Sequence, residues 1–155
     1  MTGIDDGILR QIFDGYVGAP GFVFNTWEEF RDLAEKAYPL LVDAAKKETF
    51  ITYGEVGGKI GLYVESEYFV LKIGYVVGAC SKYERINGRP LISAIVVNAT
   101  TQRPGPGFFG LSPTQSDLHS KTGHRASKGD DYMTPDMLVI WASEVKKVYE
   151  WWSTH

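Results

Sequence analysis

The spacing of apolar residues predicts helices in the first fifty positions of the chain. From Leu9 to Tyr16 apolar side chains recur every three or four positions, which predicts a short helix near residues 5–15. Residues 26–29 (Thr-Trp-Glu-Glu) form a capping-box pattern, in which the threonine oxygen accepts from a free helix amide and the glutamate reaches back. We therefore expect a long helix after this box, with Pro39 kinking it or splitting it in two.

The next two helices follow the same signals. Residues 52–55 (Thr-Tyr-Gly-Glu) repeat the capping pattern, and the glycines that follow keep this helix brief, since each costs about 1 kcal/mol relative to alanine. A longer helix is predicted from Ser66 to Ile86, where Asn87-Gly88 supplies a left-handed stop. Its apolar stripe consists of Phe69, Ile73, Val76, Val77 and Cys80. Its opposite, more polar stripe consists of Tyr68, Lys72, Tyr75, Ala79 and Lys82, with Arg85 close by.

Past residue 90 the pattern changes from helical to extended. The β-branched run from Leu91 to Asn98 predicts a strand, and residues 108–111 are expected to return as its partner. Between them, a loop rich in glycine and proline carries Arg103. Residues 112–133 are polar throughout and predict a long exposed loop.

A terminal helix is predicted over residues 135–152, because proline suits the first position of a helix. The order of helix, short strand, short helix, long helix, strand, loop and strand is that of a winged helix-turn-helix. We expect one α+β domain over residues 1–155. Its parts are a helical segment (1–50), a winged-helix core (51–111), the polar loop (112–133) and a C-terminal helix (134–155).

Length and composition agree with one globular domain. The chain has 155 residues, of which 44% are hydrophobic and 23% charged, so it can bury a core. No apolar run approaches the ~18 residues that cross a bilayer, and the first residues lack a basic-then-apolar leader. The one cysteine, Cys80, excludes an intramolecular disulfide and a cysteine zinc cluster. We expect a cytoplasmic protein without a metal or cofactor.

Charge is distributed unevenly along the chain. The net charge is −3, but residues 51–128 carry +4 while residues 1–50 and 129–155 carry −4 and −3. Between Lys72 and Lys128 the balance reaches +6. Such separation can present a positive face to phosphate while the whole protein stays acidic. The alternative is that these segment charges average out in space once the chain folds.

Four short stretches between residues 51 and 110 share a further pattern. They are Thr52-Tyr53-Gly54-Glu55, Gly78-Ala79, Ile92 to Val97 and Gly105 to Gly110. Together they resemble the C-terminal domain of alkylguanine DNA alkyltransferases and alkyltransferase-like proteins. That family has a T-Y-G-E-like helix opening, a glycine-containing recognition helix, a P-C-H-R-V-V strand and a glycine-rich return. The resemblance implies a winged helix that contacts DNA through Tyr53 and the long helix.

The departures from that family concern its chemistry. When Val96-Val97 is set against the family's paired valines, Ser93 stands where the reactive cysteine would be and Ala94 where its histidine partner would be. A serine without an adjacent base lacks the activation that a nucleophile needs. Cys80 lies on the apolar stripe and is expected in the core, and the family's base-flipping arginine aligns near Gly74. We therefore expect DNA binding without alkyl transfer.

The predicted nucleic-acid contacts come from the long helix, the residue that opens the helix before it, and the loop. Lysine and arginine would neutralise phosphates, tyrosine would contact sugar or base edges, and the loop arginine would reach the minor groove or the flanking backbone. The set is Tyr53, Lys72, Tyr75, Lys82, Arg85 and Arg103. The alternative interpretation is an ordinary solvated helix face.

Two other functions remain open at this stage. In the polar loop, His119, Lys121 and His124 could supply the base, the acid and the phosphate stabiliser of a metal-independent nuclease or toxin. Alternatively, the domain is a protein–protein interaction module with an incidental basic stripe. The aromatic C-terminal helix favours core packing and a possible homodimer, since Trp151 and Trp152 cannot both face one side.

Overall fold

The computed structural model describes residues 3–19, 22–111 and 133–155. These ranges contain five α-helices and one two-stranded parallel sheet. The α-helices are α1 (Asp6–Tyr16), α2 (Trp27–Lys46), α3 (Tyr53–Ile60), α4 (Phe69–Ile86) and α5 (Pro135–Ser153). The strands are β1 (Ile51–Thr52) and β2 (Val96–Val97), and short 3-10 helices cover Ile92–Ile95 and Pro106–Gly110. The coarse expectation of an α+β chain is confirmed, with helices predominating.

Side-chain caps start most of the helices where the sequence predicts them. Asp5, Thr26 and Thr134 each accept a hydrogen bond from a backbone amide of the first turn of α1, α2 and α5. At α3 the capping box is complete, because the Glu55 carboxylate also accepts from the amide of Thr52 at 2.9 Å. Local sequence signals therefore place these helix starts within one or two residues.

Helix α2 runs unbroken through Pro39, so the expected split into two helices is wrong. The helix buries one face along its whole length, including Phe30, Ala37, Leu41 and Ala45. It packs against α1, α3, α4 and α5, and this burial outweighs the hydrogen bond that proline removes. Helix α2 is thus the centre of the core.

Helix α4 ends as predicted but starts later. Asn87 follows its last turn, and Gly88 has φ 73°, while the Arg89 amide donates to the Glu84 carbonyl at 2.9 Å. At the other end the helix begins at Phe69 rather than Ser66, and Tyr68 before it has φ 63° without a side-chain cap. The predicted apolar stripe from Phe69 to Cys80 is buried.

The predicted strand from Leu91 to Asn98 is mostly a 3-10 helix. Only Val96 and Val97 are extended, and they pair in parallel with Ile51 and Thr52 of β1. The backbone of residues 91–94 is hydrogen-bonded to side chains rather than to a neighbouring strand. The Leu91 amide donates to Glu144, the Ser93 amide donates to Ser81, and the Ala94 carbonyl accepts from Trp141.

The expected return strand is likewise a 3-10 helix. Pro106 begins it, and both Phe108 and Phe109 are buried with their rings 5.0 Å apart, edge to face. Its backbone follows the tight helical turn of Pro106–Gly110, and the Leu111 amide donates to the Phe108 carbonyl at 3.1 Å instead of pairing with a neighbouring strand. Within the described residues 91–111, the hairpin expected as a wing is therefore not formed.

The C-terminal helix α5 closes the core as predicted. Met137, Val148 and Trp152 are buried against the rest of the chain. Two hydrogen bonds join α5 to the segment around the 3-10 helix Ile92–Ile95. The Glu144 carboxylate accepts from the Leu91 amide, and the Trp141 indole N–H donates to the Ala94 carbonyl at 2.8 Å. No described helix is long and apolar enough to cross a membrane.

Candidate interaction surface

The predicted basic stripe of α4 is largely covered by the N-terminal part of the chain. Lys72 is only 17% exposed, and its ammonium group lies 2.6 Å from the Glu29 carboxylate of α2 and 5.6 Å from the Phe24 ring centre. The Glu29 backbone amide donates to the Thr26 oxygen at 3.1 Å, as expected for a cap. The Glu29 side chain pairs with Lys72 instead of reaching back to the Thr26 amide. Lys72 is therefore a largely covered cation whose charge is neutralised by Glu29.

Tyr75 and Lys82 pack against α1 and the segment that follows it. The Tyr75 ring meets Tyr16 at 4.8 Å and Phe22 at 5.1 Å, both edge to face. The Lys82 ammonium lies 4.2 Å from the centre of the Tyr16 ring. Ala79, on the same stripe, is fully buried. The expectation that this stripe faces solvent is wrong for its middle part, because Tyr16 of α1 covers Tyr75 and Lys82, whereas Tyr68 at its start is exposed.

Near the C-terminal end of α4, two cations remain without a counter-charge. Arg85 is exposed, and neither Arg85 nor Lys82 forms an ion pair in the part of the chain that the structure describes. Burial, and secondly the positive charge of Arg85, lower the pKa of Lys82. These two residues are the part of the predicted basic set that keeps an unneutralised charge near the surface.

Tyr53 and the glycine-rich loop are joined by a hydrogen bond. The Gly105 amide donates to the Tyr53 hydroxyl at 2.8 Å, and burial raises the pKa of this hydroxyl. The loop before it is a folded turn around Asn98, whose side chain accepts from the amides of Thr100 and Thr101 and whose own amide donates to the Arg103 carbonyl. The structure thus ties Tyr53 to the loop that carries Arg103.

Ser93 and Cys80 are interior residues. Ser93 is buried, and the Ser81 hydroxyl donates to its oxygen at 2.6 Å. The expectation that Cys80 is a core residue is confirmed, since its side chain is fully buried. Burial, with the Glu84 carboxylate nearby, raises the pKa of the Cys80 thiol.

Large apolar side chains are exposed where α3 turns into α4. Within nine residues, five such side chains are 42–72% exposed: Tyr63, Val64, Tyr68, Val70 and Leu71. We call these five residues, together with Gly74 one turn further along α4, the turn face. Isolated apolar residues on a surface are ordinary, whereas the other exposed large apolar side chains of the described chain, Val17, Phe50, Ile86 and Val139, lie singly.

Two residues of the turn face also carry a conformational cost. Tyr68 adopts a left-handed conformation at φ 63°, which is rare for a bulky residue and costs about 1–2 kcal/mol. Gly74 lies inside α4, where glycine costs about 1 kcal/mol relative to alanine, although a Cβ there would have no atom within 4 Å. Backbone strain of this kind is typical of binding sites.

Helix α3 holds the turn face in place. The Leu62 amide donates to the Gly57 carbonyl at 2.8 Å, which closes the end of α3. A Cβ on Gly57 would lie 2.3 Å from the Leu62 carbonyl oxygen and 2.7 Å from the Phe69 ring, so only glycine allows this close approach. A Cβ on Gly54 would lie 3.5 Å from Val64. The face therefore rests on α3, next to Tyr53.

Charged side chains also accompany the turn face, namely two carboxylates within it and the exposed Lys59 four residues before it on α3. Glu65 and Glu67 alternate with its apolar residues, and both are exposed. Glu67 and Tyr68 also border a cleft of about 440 Å³ with Val23, Asn25 and Lys72. The sequence does not predict this surface, because helical spacing places Tyr68 on the polar stripe of α4. The signal present was the pair Val70 and Leu71, which fall outside the predicted apolar stripe.

The remaining predicted site residues, His119, Lys121 and His124, lie outside the described residues, as does all but the last residue of the predicted loop 112–133. The nuclease alternative stays a prediction. Among the residues that the structure describes, no group of three or more His, Cys, Asp or Glu side chains is placed to hold a metal ion. Comparison with protein-family models, curated proteins and solved structures finds no match to this chain.

Proposed function

We propose that this protein is a non-catalytic interaction module that binds another protein through the turn face. The observation that carries the proposal is the group of five large apolar side chains exposed within nine residues. Burying them against a partner would contribute about 25 cal/mol for each Å² of apolar surface removed from water. The backbone conformation of Tyr68 and the glycine at position 74 support the same conclusion, because contacts with a bound partner would offset the stability that each of them costs.

A protein partner fits this surface better than a nucleic acid does. Affinity for duplexes depends mainly on cations that neutralise phosphates. In the turn face region Lys72 is already paired with Glu29, and Glu65 and Glu67 would repel a phosphate backbone. Of the three functions that the sequence leaves open, the interaction module therefore has the strongest support.

The proposal predicts that two exposed substitutions remove partner binding and leave the fold intact. In the full chain, the unsubstituted protein should retain a partner protein after nuclease treatment. Val70→Ser with Leu71→Ser should abolish this co-purification. The matched control is Val139→Ser, which removes a 69% exposed valine from α5. The measurement is quantitative comparison of proteins retained by the three chains, with thermal unfolding as the test of folding. Equal retention by all three would reject the turn face.

Duplex DNA binding is the second candidate, and one observation favours it. Lys82 and Arg85 are neighbouring cations that carry no counter-charge within the described chain. The resemblance of residues 51–110 to alkyltransferase-like proteins, and the winged-helix arrangement it implies, belong to this candidate. It predicts nucleic acid in the purified protein and a gel shift that weakens in Lys82→Ala with Arg85→Ala, whereas Val70→Ser with Leu71→Ser would leave the shift unchanged.

A further inference from the structure

The charges around the turn face indicate what kind of protein segment it binds. Glu65 and Glu67 are exposed and form no ion pair among the residues that the structure describes. The nearest lysine of α4, Lys72, is held by Glu29 at 2.6 Å. The face therefore offers apolar contact area with two uncompensated negative charges along one side.

We infer that the turn face binds an amphipathic helical segment of a partner protein, with an apolar stripe flanked by lysine or arginine. This inference rests on the proposed function and adds the chemistry of the partner. An apolar stripe on a helix would cover Val70, Leu71 and Tyr68, while a basic residue beside it would reach Glu65 or Glu67. Opposite charges across such a contact speed association and exclude acidic partners.

The geometry accommodates this arrangement in two respects. Gly74 has no side chain, so a helix lying along the exposed face of α4 can approach the backbone closely. The cleft bounded by Glu67, Tyr68, Asn25 and Lys72 lies next to the face, and at Lys72 the cation is already held by Glu29 at 2.6 Å, which leaves the Glu67 carboxylate for a basic side chain of the partner. An acidic or phosphate-bearing partner would place its charge against the same carboxylates.

The test uses three matched peptides of about 16 residues with the same leucine stripe, as amphipathic helices require. Their polar positions are lysine, glutamine or glutamate, and a short duplex DNA is the fourth ligand. Each is titrated into the ¹⁵N-labelled full chain, so that amide shifts report both affinity and location. We expect the lysine peptide to shift amides of residues 62–74 and to bind at least about fivefold more tightly than the glutamine peptide.

Charge-neutral variants check the role of the carboxylates. Glu65→Gln with Glu67→Gln should weaken the lysine peptide about fivefold, whereas Glu150→Gln on α5 should leave its affinity unchanged. If the glutamine or glutamate peptide binds residues 62–74 as tightly, the inferred basic partner is wrong while the turn face survives. If the lysine peptide shifts amides elsewhere, or if the duplex shifts residues 62–74 instead, the inference is overturned.

Discussion

A single buried carboxylate, that of Glu84, links helix α2, helix α4 and the segment that follows α4. Glu84 on α4 is fully buried, accepts a hydrogen bond from the Tyr38 hydroxyl of α2, and pairs with the Arg89 guanidinium at 2.6 Å. Burial, with the Glu84 carboxylate second, raises the pKa of Tyr38, so its hydroxyl remains protonated and donates. A charge this deep is tolerated only because both partners are present.

Removing the arginine should therefore be far more damaging than removing an exposed cation. We expect Arg89→Met to lower the free energy of unfolding by about 3–5 kcal/mol, because it leaves Glu84 buried without a counter-charge. The measurement is urea unfolding. Lys36→Met, which breaks an exposed pair with Asp32 at 3.0 Å, should change it by less than about 0.5 kcal/mol. Similar losses in the two variants would contradict the role given to Glu84.

At the level of secondary structure, prediction succeeded where the signals were local. The caps at Thr26 and Thr52, the proline at the first position of α5 and the stop after Ile86 depend on residues close together in the sequence, and all four are observed. The segment 91–98 differs because its backbone partners come from distant side chains such as Trp141 and Glu144. A fully buried apolar run has no periodicity that separates strand from helix.

The glycines of α3 and α4 give the sharpest prediction about these elements. Gly58→Ala and Gly74→Ala should each raise the free energy of unfolding by about 1 kcal/mol, because a Cβ there meets nothing within 4 Å. Gly57→Ala should lower it, since its Cβ would collide with the Leu62 carbonyl and Phe69. Urea denaturation of the three variants measures this. A stabilised Gly57→Ala chain would disprove the close approach.

At the scale of the whole molecule, the position of α1 decides which surface is available for binding. Helical periodicity correctly separates the apolar stripe of α4 from the rest, but it carries no information about which remote segment covers the other stripe. Tyr16 and Phe22 cover Tyr75, and Glu29 neutralises Lys72. The candidate site of the structure therefore lies at the N-terminal end of α4, where Tyr68 has a left-handed backbone, and not in the middle of the helix as the sequence predicts.

The docking of α5 completes this arrangement and can be tested with two matched tryptophans. Trp141→Phe leaves the buried Ala94 carbonyl without its donor, which should cost about 1–3 kcal/mol of unfolding free energy. Trp151 is the control, because its indole N–H has no hydrogen-bond partner among the described residues and Trp151→Phe therefore removes none there. Urea unfolding should show Trp141→Phe as clearly the less stable of the two. Equal losses would mean that ring packing alone, and not the bond to Ala94, holds α5 against the core.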